Sequence, residues 1–355
     1  MNVRIKWLRD ILKTKNIQGM IVSNPKNVKY LTGLEAEGLL LLTYKENIFL
    51  TDSRYTEYAN STLTVDDEIV VDDVKTLIAD DYENFFMFCE NVGFEENYVS
   101  YAQYKKILQK YKVNNLIETE FLIEKQRVVK EEKEIEYIEK ACEITDKCFT
   151  HILSYIKRGM TEKQIAFEME RFMIENGADE RAFETIVASG PNSSKPHAIP
   201  TGRKIREGDI ILLDFGCKYK GYCSDMSRTI FVKFIDEEIK EAYTFVKNLQ
   251  EEIVNKVADG VPIKEIAKIF SEKLEENKYE QLHSLGHGVG LNIHERPFLS
   301  QTNDEILKNN MIITIEPGVY KKGEFGIRIE DTVKITKNSC IRLTKSEKND
   351  IIIKG

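Results

Sequence analysis

Five residues in three separated stretches carry side chains suited to joint chemistry: Asp214, Asp225, His287, Glu316 and Glu330. The first stretch is Asp209-Ile-Ile-Leu-Leu-Asp-Phe-Gly216, running on to Tyr222-Cys-Ser-Asp-Met-Ser-Arg228. The second is His283-Ser-Leu-Gly-His-Gly-Val-Gly-Leu-Asn-Ile-His-Glu-Arg-Pro297, and the third is Ile315-Glu-Pro-Gly318 with Gly326-Ile-Arg-Ile-Glu330. Four carboxylates and one imidazole can hold two divalent cations about 3.5–4 Å apart, a spacing used for metal-assisted hydrolysis. The oxygen-rich set favours Mn²⁺, with Co²⁺ or Zn²⁺ as alternatives. A water shared by two such ions is acidified from about 15.7 toward ~7, which supplies a nucleophile at neutral pH. Glu316, before Pro317 and Gly318, is the candidate to take that water's second proton and pass it to a leaving nitrogen.

The elements that must position these groups can be read from apolar runs and turn signals. Ile210 to Leu213 reads as a buried strand ending in Asp214, Lys218-Tyr-Lys-Gly221 as a turn, and Tyr222 to Val232 as the returning strand. A turn centred between Tyr219 and Lys220 sets Asp214 opposite Asp225. Moving the centre by one whole residue makes the pair diagonal but leaves both on one face, because side chains alternate with period 2. A half-residue shift would separate them. Strands from Met311 to Glu316 and from Gly326 to Ile335, paired about Gly323, set Glu316 and Glu330 on one face together with Arg328. Facing buried carboxylates repel and are costly to desolvate, and a cation between them removes both penalties.

An internal repeat underlies this symmetry. Gly159-Met-Thr-Glu-Lys-Gln-Ile-Ala166 matches Gly260-Val-Pro-Ile-Lys-Glu-Ile-Ala267, and Glu207 to Gly216 matches Asn309 to Gly318 about one hundred residues later. Each half reads helix, helix, strand, hairpin, with Asp214 and Glu316 in equivalent places. A duplicated α+β unit of this kind implies a pseudo-twofold site in a cleft between the halves.

The chain divides on this reading into an α/β domain over residues 1–122 and an α+β domain over residues 123–355. In the first, a helix is expected over Val3 to Lys15, strands at Gly19 to Ser23, Leu39 to Thr43, Asn47 to Thr51, Ile69 to Asp72 and Val92 to Phe94, and helices from Arg54 to Asn60 and from Leu77 to Cys89. A long helix is expected over Lys130 to Ile156, with Ile135, Ile138, Cys142, Thr145, Phe149, Ile152 and Ile156 as its core stripe. The 355 residues carry a net charge of −8, which argues against nucleic acid or an anionic membrane as partner. No apolar run is long enough to span a bilayer, and the charged N-terminus has no signal core. Six cysteines without paired spacing read as reduced thiols, so a cytoplasmic protein is expected. Cys217 and Cys223 flank the first turn and could approach each other, with a disulfide there the minority reading.

Four of the five histidines, His197, His283, His287 and His294, fall in or near the same stretches, as do Pro191, Pro196, Pro200, Pro297 and Pro317. His197 and His294 sit in loop-like sequence and suit the donors that a tetrahedral oxyanion and a departing amine require. His283 is a further candidate substrate contact. Arg328 either balances the acidic cluster or binds a substrate carboxylate. Gly286-His-Gly-Val-Gly290 lacks the Lys-Ser/Thr and the strand–loop–helix setting of a phosphate loop.

The ligand set, His-x2-Gly-His-Gly-x-Gly-x3-His-Glu-x-Pro, Glu-Pro-Gly, Gly-Ile-Arg-Ile-Glu-Asp and Asp-Phe-Gly-Cys-x-Tyr-x-Gly-Tyr-x-Ser-Asp-x-Ser-Arg-Thr together resemble the aminopeptidase P and prolidase family. Tyr30-Leu-Thr-Gly33 and Thr51-Asp-Ser-Arg-Tyr55 are similar to its N-terminal domain. The resemblance implies a creatinase-like α/β domain contributing to substrate access and dimer contacts, followed by a pita-bread catalytic domain. It also implies a homodimer and hydrolysis of the bond before proline in peptides. Asp225 and Glu330 would bridge the metals, Asp214 would complete one, and His287 with Glu316 the other. His197, His294 and Arg328 correspond to substrate-contacting residues. A prolyl nitrogen has no N–H and sits in a rigid ring, so a dedicated pocket restores the grip that general peptidases lose.

Within this resemblance an Xaa-Pro aminopeptidase is favoured slightly over an Xaa-Pro dipeptidase (prolidase). A methionine aminopeptidase would not need the first domain, and a creatinase-like amidinohydrolase would not need five metal ligands. A catalytically silent binding protein on the same fold should lack one or more ligands, and this chain lacks none.

Overall fold

The computed structural model describes residues 2–63, 69–75, 78, 82–349 and 351–354. The chain forms two compact units, Met1–Arg127 and Val128–Gly355.

The first unit contains α1 (Val3–Thr14), β1 (Gly19–Val22), α2 (Pro25–Thr32), β2 (Leu39–Thr43), β3 (Asn47–Thr51), α3 (Thr56–Thr62), β4 (Val70–Asp73), β5 (Asn91–Phe94), α4 (Tyr101–Lys110), β6 (Asn115–Glu118) and α5 (Leu122–Arg127). Its sheet runs β4-β3-β2-β1-β5-β6, antiparallel across β1–β3 and parallel toward both edges. The expected helix over Leu77 to Cys89 is a correction. Residues 77 and 79–81 lie outside the described residues, and 83–88 form consecutive turns that insert Phe86 against Tyr111 in the core. Sequence reading also passed over α2, although its signals are present: Asn24 caps it, Pro25 opens it, and Gly33 ends it at φ +76°.

The second unit contains α6 (Glu132–Tyr155), α7 (Glu162–Glu175), β7 (Glu180–Arg181), β8 (Ile186–Ser189), β9 (Ile210–Phe215), β10 (Cys217–Tyr219), β11 (Tyr222–Cys223), β12 (Met226–Val232), α8 (Glu237–Val254), α9 (Ile263–Glu276), β13 (His287–Gly288), β14 (Glu295–Phe298), β15 (Ile312–Ile315), β16 (Gly318–Lys321), β17 (Phe325–Arg328), β18 (Asp331–Ile335), β19 (Cys340–Arg342) and β20 (Ile352–Ile353). The stripe on α6 is buried along its length. It packs with α7 against β9 and β12, while α8 and α9 form a second core with β15, β17 and β18.

The repeat is visible in backbone detail. Gly159 and Gly260 take left-handed φ values of +89° and +86°, as do Gly208 and Asn310 at +78° and +66°. The N–H of Gly159 donates to the Ile205 carbonyl, and that of Gly260 to Leu307, so each half closes its helix pair onto its hairpin in the same way. Matching sequence has therefore produced matching local structure rather than a coincidence of residue types.

Both hairpins keep the expected parity. In the first, Lys218 pairs with Cys223 and Tyr219 with Tyr222, so the turn is centred one residue later than expected. Its central residues, Lys220 and Gly221, have φ +52° and +81°, the geometry that two-residue hairpins favour. Ser227 consequently faces Asp214, and Asp225 lies diagonal to it on the same face. In the second, Ile315 pairs with Asp331 and Gly318 with Arg328, both centred on Gly323 as expected. Each hairpin opens at the ligand positions. Ser224 and Asp225 leave the ladder in one, and Glu316, Pro317, Ile329 and Glu330 leave it in the other. Pro317 has no N–H to donate there. A Cβ on Gly216 would lie 1.9 Å from the Ser224 carbonyl oxygen, so glycine permits the first break.

Candidate active site

Asp214 is presented from the middle of its sheet, between Ile186 of β8 and Ser227 of β12. Asp225 and Glu330 stand at the two hairpin breaks, and His287 opens β13. One ligand atom from each of Asp225, His287 and Glu330 falls within 4.8 Å of the others, and all three residues are buried. Glu316 brings Oε1 to 3.4 Å from His287 Nε2, while Asp225 Oδ2 lies 3.5 Å from the same nitrogen. Asp214 lines the same cavity, and its Oδ2 accepts a hydrogen bond from Arg328 Nη2. The five sequence-predicted ligands thus surround one space.

The charge state of this cluster follows from burial. Burial pushes Asp225 well above the ordinary carboxylate range, and Glu330 and Asp214 push it further. Glu330 is raised well above that range for the same reason, with Glu316 and Asp214 adding to it. Glu316 is raised to about 8 by burial, although Arg328 opposes the rise. His287 Nδ1 lies 3.1 Å from the Gly288 carbonyl, which fixes its proton there and leaves Nε2 as a bare acceptor. Burial lowers its pKa to about 4, so the imidazole is neutral and its approaches to Asp225 and Glu316 are not ion pairs. Buried acceptors therefore face one another. Asp214 Oδ1, Asp225 Oδ1 and Glu330 Oε1 have no hydrogen-bond partner. Such orphaned acceptors fit divalent cations and little else.

Neighbouring groups hold the remaining oxygens. Ser227 Oγ donates to Glu330 Oε2 at 2.8 Å and accepts from Arg328 Nε at 2.9 Å. Thr314 Oγ1 accepts from the His287 N–H at 3.1 Å and lies 3.4 Å from Glu316 Oε1. Behind the site Arg228 pairs with Asp331 at 2.7 Å and donates to the Glu330 carbonyl at 2.5 Å. Burial alone would raise Asp331, but Arg228 and Lys348 hold it at about 2.

His197 and His294 are exposed at the rim of a cavity of about 290 Å³ that also meets Phe183, Ile186 and Phe298. The loop carrying His197 is tied down by buried Glu162, which accepts from the N–H and hydroxyl of both Ser189 and Thr201 at 2.6–2.9 Å. His294 sets its ring 4.4 Å from that of His287, nearly perpendicular to it. His283 lines the cavity with both nitrogens engaged, Nδ1 with the Ser284 carbonyl at 2.8 Å and Nε2 with Tyr320 Oη at 3.0 Å. Burial and Arg328 lower its pKa to about 4, so Tyr320 donates to a neutral ring. The Arg328 guanidinium makes four hydrogen bonds, to Asp214, Ser227, Tyr320 and the Pro196 carbonyl. That geometry favours charge balance over capture of a substrate carboxylate.

The description "Metallopeptidase family M24" matches residues 136–337, and "Creatinase/Prolidase N-terminal domain" matches residues 4–129. The chain belongs to metallopeptidase family M24. It is 35% identical to the Xaa-Pro dipeptidase of Pyrococcus horikoshii, over 98% of both chains. Among solved structures it is similar to an Xaa-Pro dipeptidase from Bacillus anthracis, with TM-score 0.93 and 34% identity over 98% of this chain and 99% of that one. It is also similar to an X-Pro aminopeptidase from Thermotoga maritima, with TM-score 0.88 and 31% identity over 98% and 99%.

The M24 chain is therefore a metal-dependent peptidase with a creatinase-type first domain and a pita-bread second domain. No helix among its described residues is long and apolar enough to cross a membrane. None of its six cysteines forms a disulfide, Cys217 and Cys223 included. Sequence reading missed Tyr320, Ser227 and Thr314, which orient the charged groups, and the aromatic walls Phe183 and Phe298. Tyr320 lies two residues beyond Glu-Pro-Gly and shares the parity of Gly318, which was the available signal.

Proposed function

We propose that this M24 enzyme is an Xaa-Pro dipeptidase, with Asp214, Asp225, His287, Glu316 and Glu330 holding two divalent cations, Mn²⁺ by preference. The observation that carries the metal reading is the set of orphaned buried oxygens around the bare Nε2 of His287. The sequence alone leaned toward an aminopeptidase. Two considerations turn the balance: the relatives named Xaa-Pro dipeptidase, and the cavity itself. At about 290 Å³ it sits at the small end of ligand pockets, which run from about 300 to 1,000 Å³. That volume suits a dipeptide. The Thermotoga X-Pro aminopeptidase keeps the longer-substrate reading as the alternative.

Two bound divalent cations supply carbonyl polarisation and an acidified water. The protein's own groups do the rest. Phe183, Ile186 and Phe298 offer the apolar wall for a pyrrolidine ring. His294 and His197, at the rim, donate to the developing oxyanion and to the substrate's terminal carboxylate. Glu316 takes the proton released by the attacking water and gives it to the prolyl nitrogen as the C–N bond breaks. That nitrogen leaves as a secondary amine, so it needs this proton. Arg328 holds Asp214 Oδ2 and keeps that carboxylate aimed into the cavity.

The test is hydrolysis of Ala-Pro and Ala-Pro-Ala by metal-stripped protein, with and without added Mn²⁺, beside Asp225→Ala. Cleavage of Ala-Pro with little of Ala-Pro-Ala, dependent on metal and on Asp225, is expected. Efficient cleavage of the tripeptide would return the aminopeptidase reading, and activity indifferent to metal and Asp225 would overturn the two-metal site. No turnover of either peptide would favour a silent binding protein. A homodimer in the cytoplasm remains part of the proposal, tested by light scattering and by fractionation.

A further inference from the structure

Beside the site lies a buried ion pair that the reaction scheme above does not use. Lys130 Nζ is 2.9 Å from Glu295 Oε1, with the two side chains only 1% and 6% exposed. The ammonium also donates to the Val128 carbonyl at 3.3 Å. The backbone of Lys130 is anchored in turn. Its N–H donates to the Asn310 carbonyl at 3.0 Å, and Val129 bridges to Met311 just ahead of β15. The cation is thus fixed to the strand that leads into Glu316.

Glu295 directly follows His294 and faces Gly288 in β13, one residue after His287. Its carboxylate lies over Gly290, where an added Cβ would sit 2.3 Å from Oε1. The Asn292 N–H points to Oε2 at 3.4 Å, and the Gly290 N–H donates to the Asn292 carbonyl at 3.1 Å. The Gly290 carbonyl accepts from the Cys223 N–H at 2.8 Å. The short loop 290–294 is therefore closed at its base by Glu295, and His294 is its last residue.

A buried ion pair contributes little net stability, and apolar side chains of equal volume would fill the space at lower cost. What opposed charges add is a single arrangement, because either charge left alone in that position is expensive. From this geometry we infer that Lys130 is a positioning residue for His294, acting through Glu295 and the loop it closes. The inference rests on the proposed role of His294 at the substrate.

The experiment is a double-mutant cycle on the full, Mn²⁺-loaded chain with Ala-Pro as substrate. Lys130→Met is expected to lower kcat/KM at least tenfold in the wild-type background and less than twofold in the His294→Ala background. Lys130→Arg, which keeps the charge, is expected to retain most of the activity. A second readout is the histidine ring NMR spectrum of metal-free protein. Lys130→Met should move the His294 signals and leave those of His151, on the far part of α6, in place. If Lys130→Met does not fold, Lys130→Met/Glu295→Gln removes both charges and is read in the same way. Equal losses in the two backgrounds, or unmoved His294 signals, overturn the inference. Should His294→Ala prove neutral, or Ala-Pro not be cleaved at all, the functional reading fails instead, and the ring signals decide the positioning by themselves.

Discussion

Stripping the metal should make this protein more stable on mild acidification, the reverse of the usual behaviour of proteins held by carboxylate pairs. The sign follows from the buried acids. Asp225, Glu316 and Glu330 all have folded-state pKa values above their unfolded ones. Above those values the folded state carries crowded charge that the unfolded state does not feel. As pH falls through them, the folded state takes up protons first and gains stability. Glu316 gives a scale. A rise from 4.5 to about 8, at about 1.4 kcal/mol per pKa unit, is roughly 5 kcal/mol of destabilisation in the fully ionised limit. Between pH 9 and pH 7 Glu316 alone returns on the order of 1–2 kcal/mol of this, and Asp225 and Glu330 act in the same direction. For a unit of this size that is about 3–6 °C in Tm. Two histidines set the lower edge of the window. His283 and His287 are depressed to about 4, so below about pH 6.5 the unfolded state takes up protons that these buried rings refuse. That uptake offsets most of the protons the three acids gain, so the rise in stability flattens below about pH 6.5. The assay is a pH series of melting curves on chelator-treated protein, with Mn²⁺-loaded protein in parallel. The loaded protein should melt higher and lack the rise between pH 9 and pH 7. A metal-free Tm that is flat or falls on going from pH 9 to pH 7 would refute the picture of a cation-dependent acidic cluster.

Two further outcomes follow from particular side chains. Asp225→Asn removes one buried charge from the cluster, so metal-free protein carrying it should melt higher than wild type at pH 8 by a few degrees. The same variant should lose Mn²⁺ affinity and activity by more than ~100-fold, beyond what loss of a residue behind the ligands costs, as calorimetry and Ala-Pro turnover will measure. Lys220 holds φ +52° in the first hairpin turn, where Asn-Gly is the preferred pair. Lys220→Asn should therefore add up to about 1 kcal/mol, read as a Tm rise of a few degrees with kcat/KM unchanged.

The parity of the ligands was legible because it tolerates error. The first turn falls one residue later than its sequence suggested, yet Asp214 and Asp225 still share a face. A whole-residue shift of a hairpin centre moves partners by two, and two is the side-chain period. The second hairpin was legible because Gly323 sits at its centre with φ +78°. The openings in both hairpins were less so. They depend on how the sheets diverge, and only Pro317, which has no N–H, marked one of them in advance. In the first unit, the helix expected from Leu77 to Cys89 does not form over its described part. Its described part is turns because Phe86 is drawn inward to Tyr111. The spacing of apolar residues cannot distinguish a helical stripe from a loop with one buried ring.

What no single stretch could reveal is which charges neutralise which. The two long arginine contacts cross between the halves in opposite directions. Arg328, from β17 in the second half, bonds to Asp214 of β9 in the first. Arg228, from β12 in the first half, bonds to Asp331 of β18 in the second. Ser227 joins the exchange by holding both Glu330 and Arg328, and the Glu330 N–H reaches the Ser227 carbonyl at 3.1 Å. Each hairpin alone would present buried carboxylates without their cations, at a cost of several kcal/mol per unpaired charge. The acidic centre is therefore tolerable only when both halves are in place. This explains why the duplicated unit keeps its ligands split between hairpins about one hundred residues apart instead of gathering them in one.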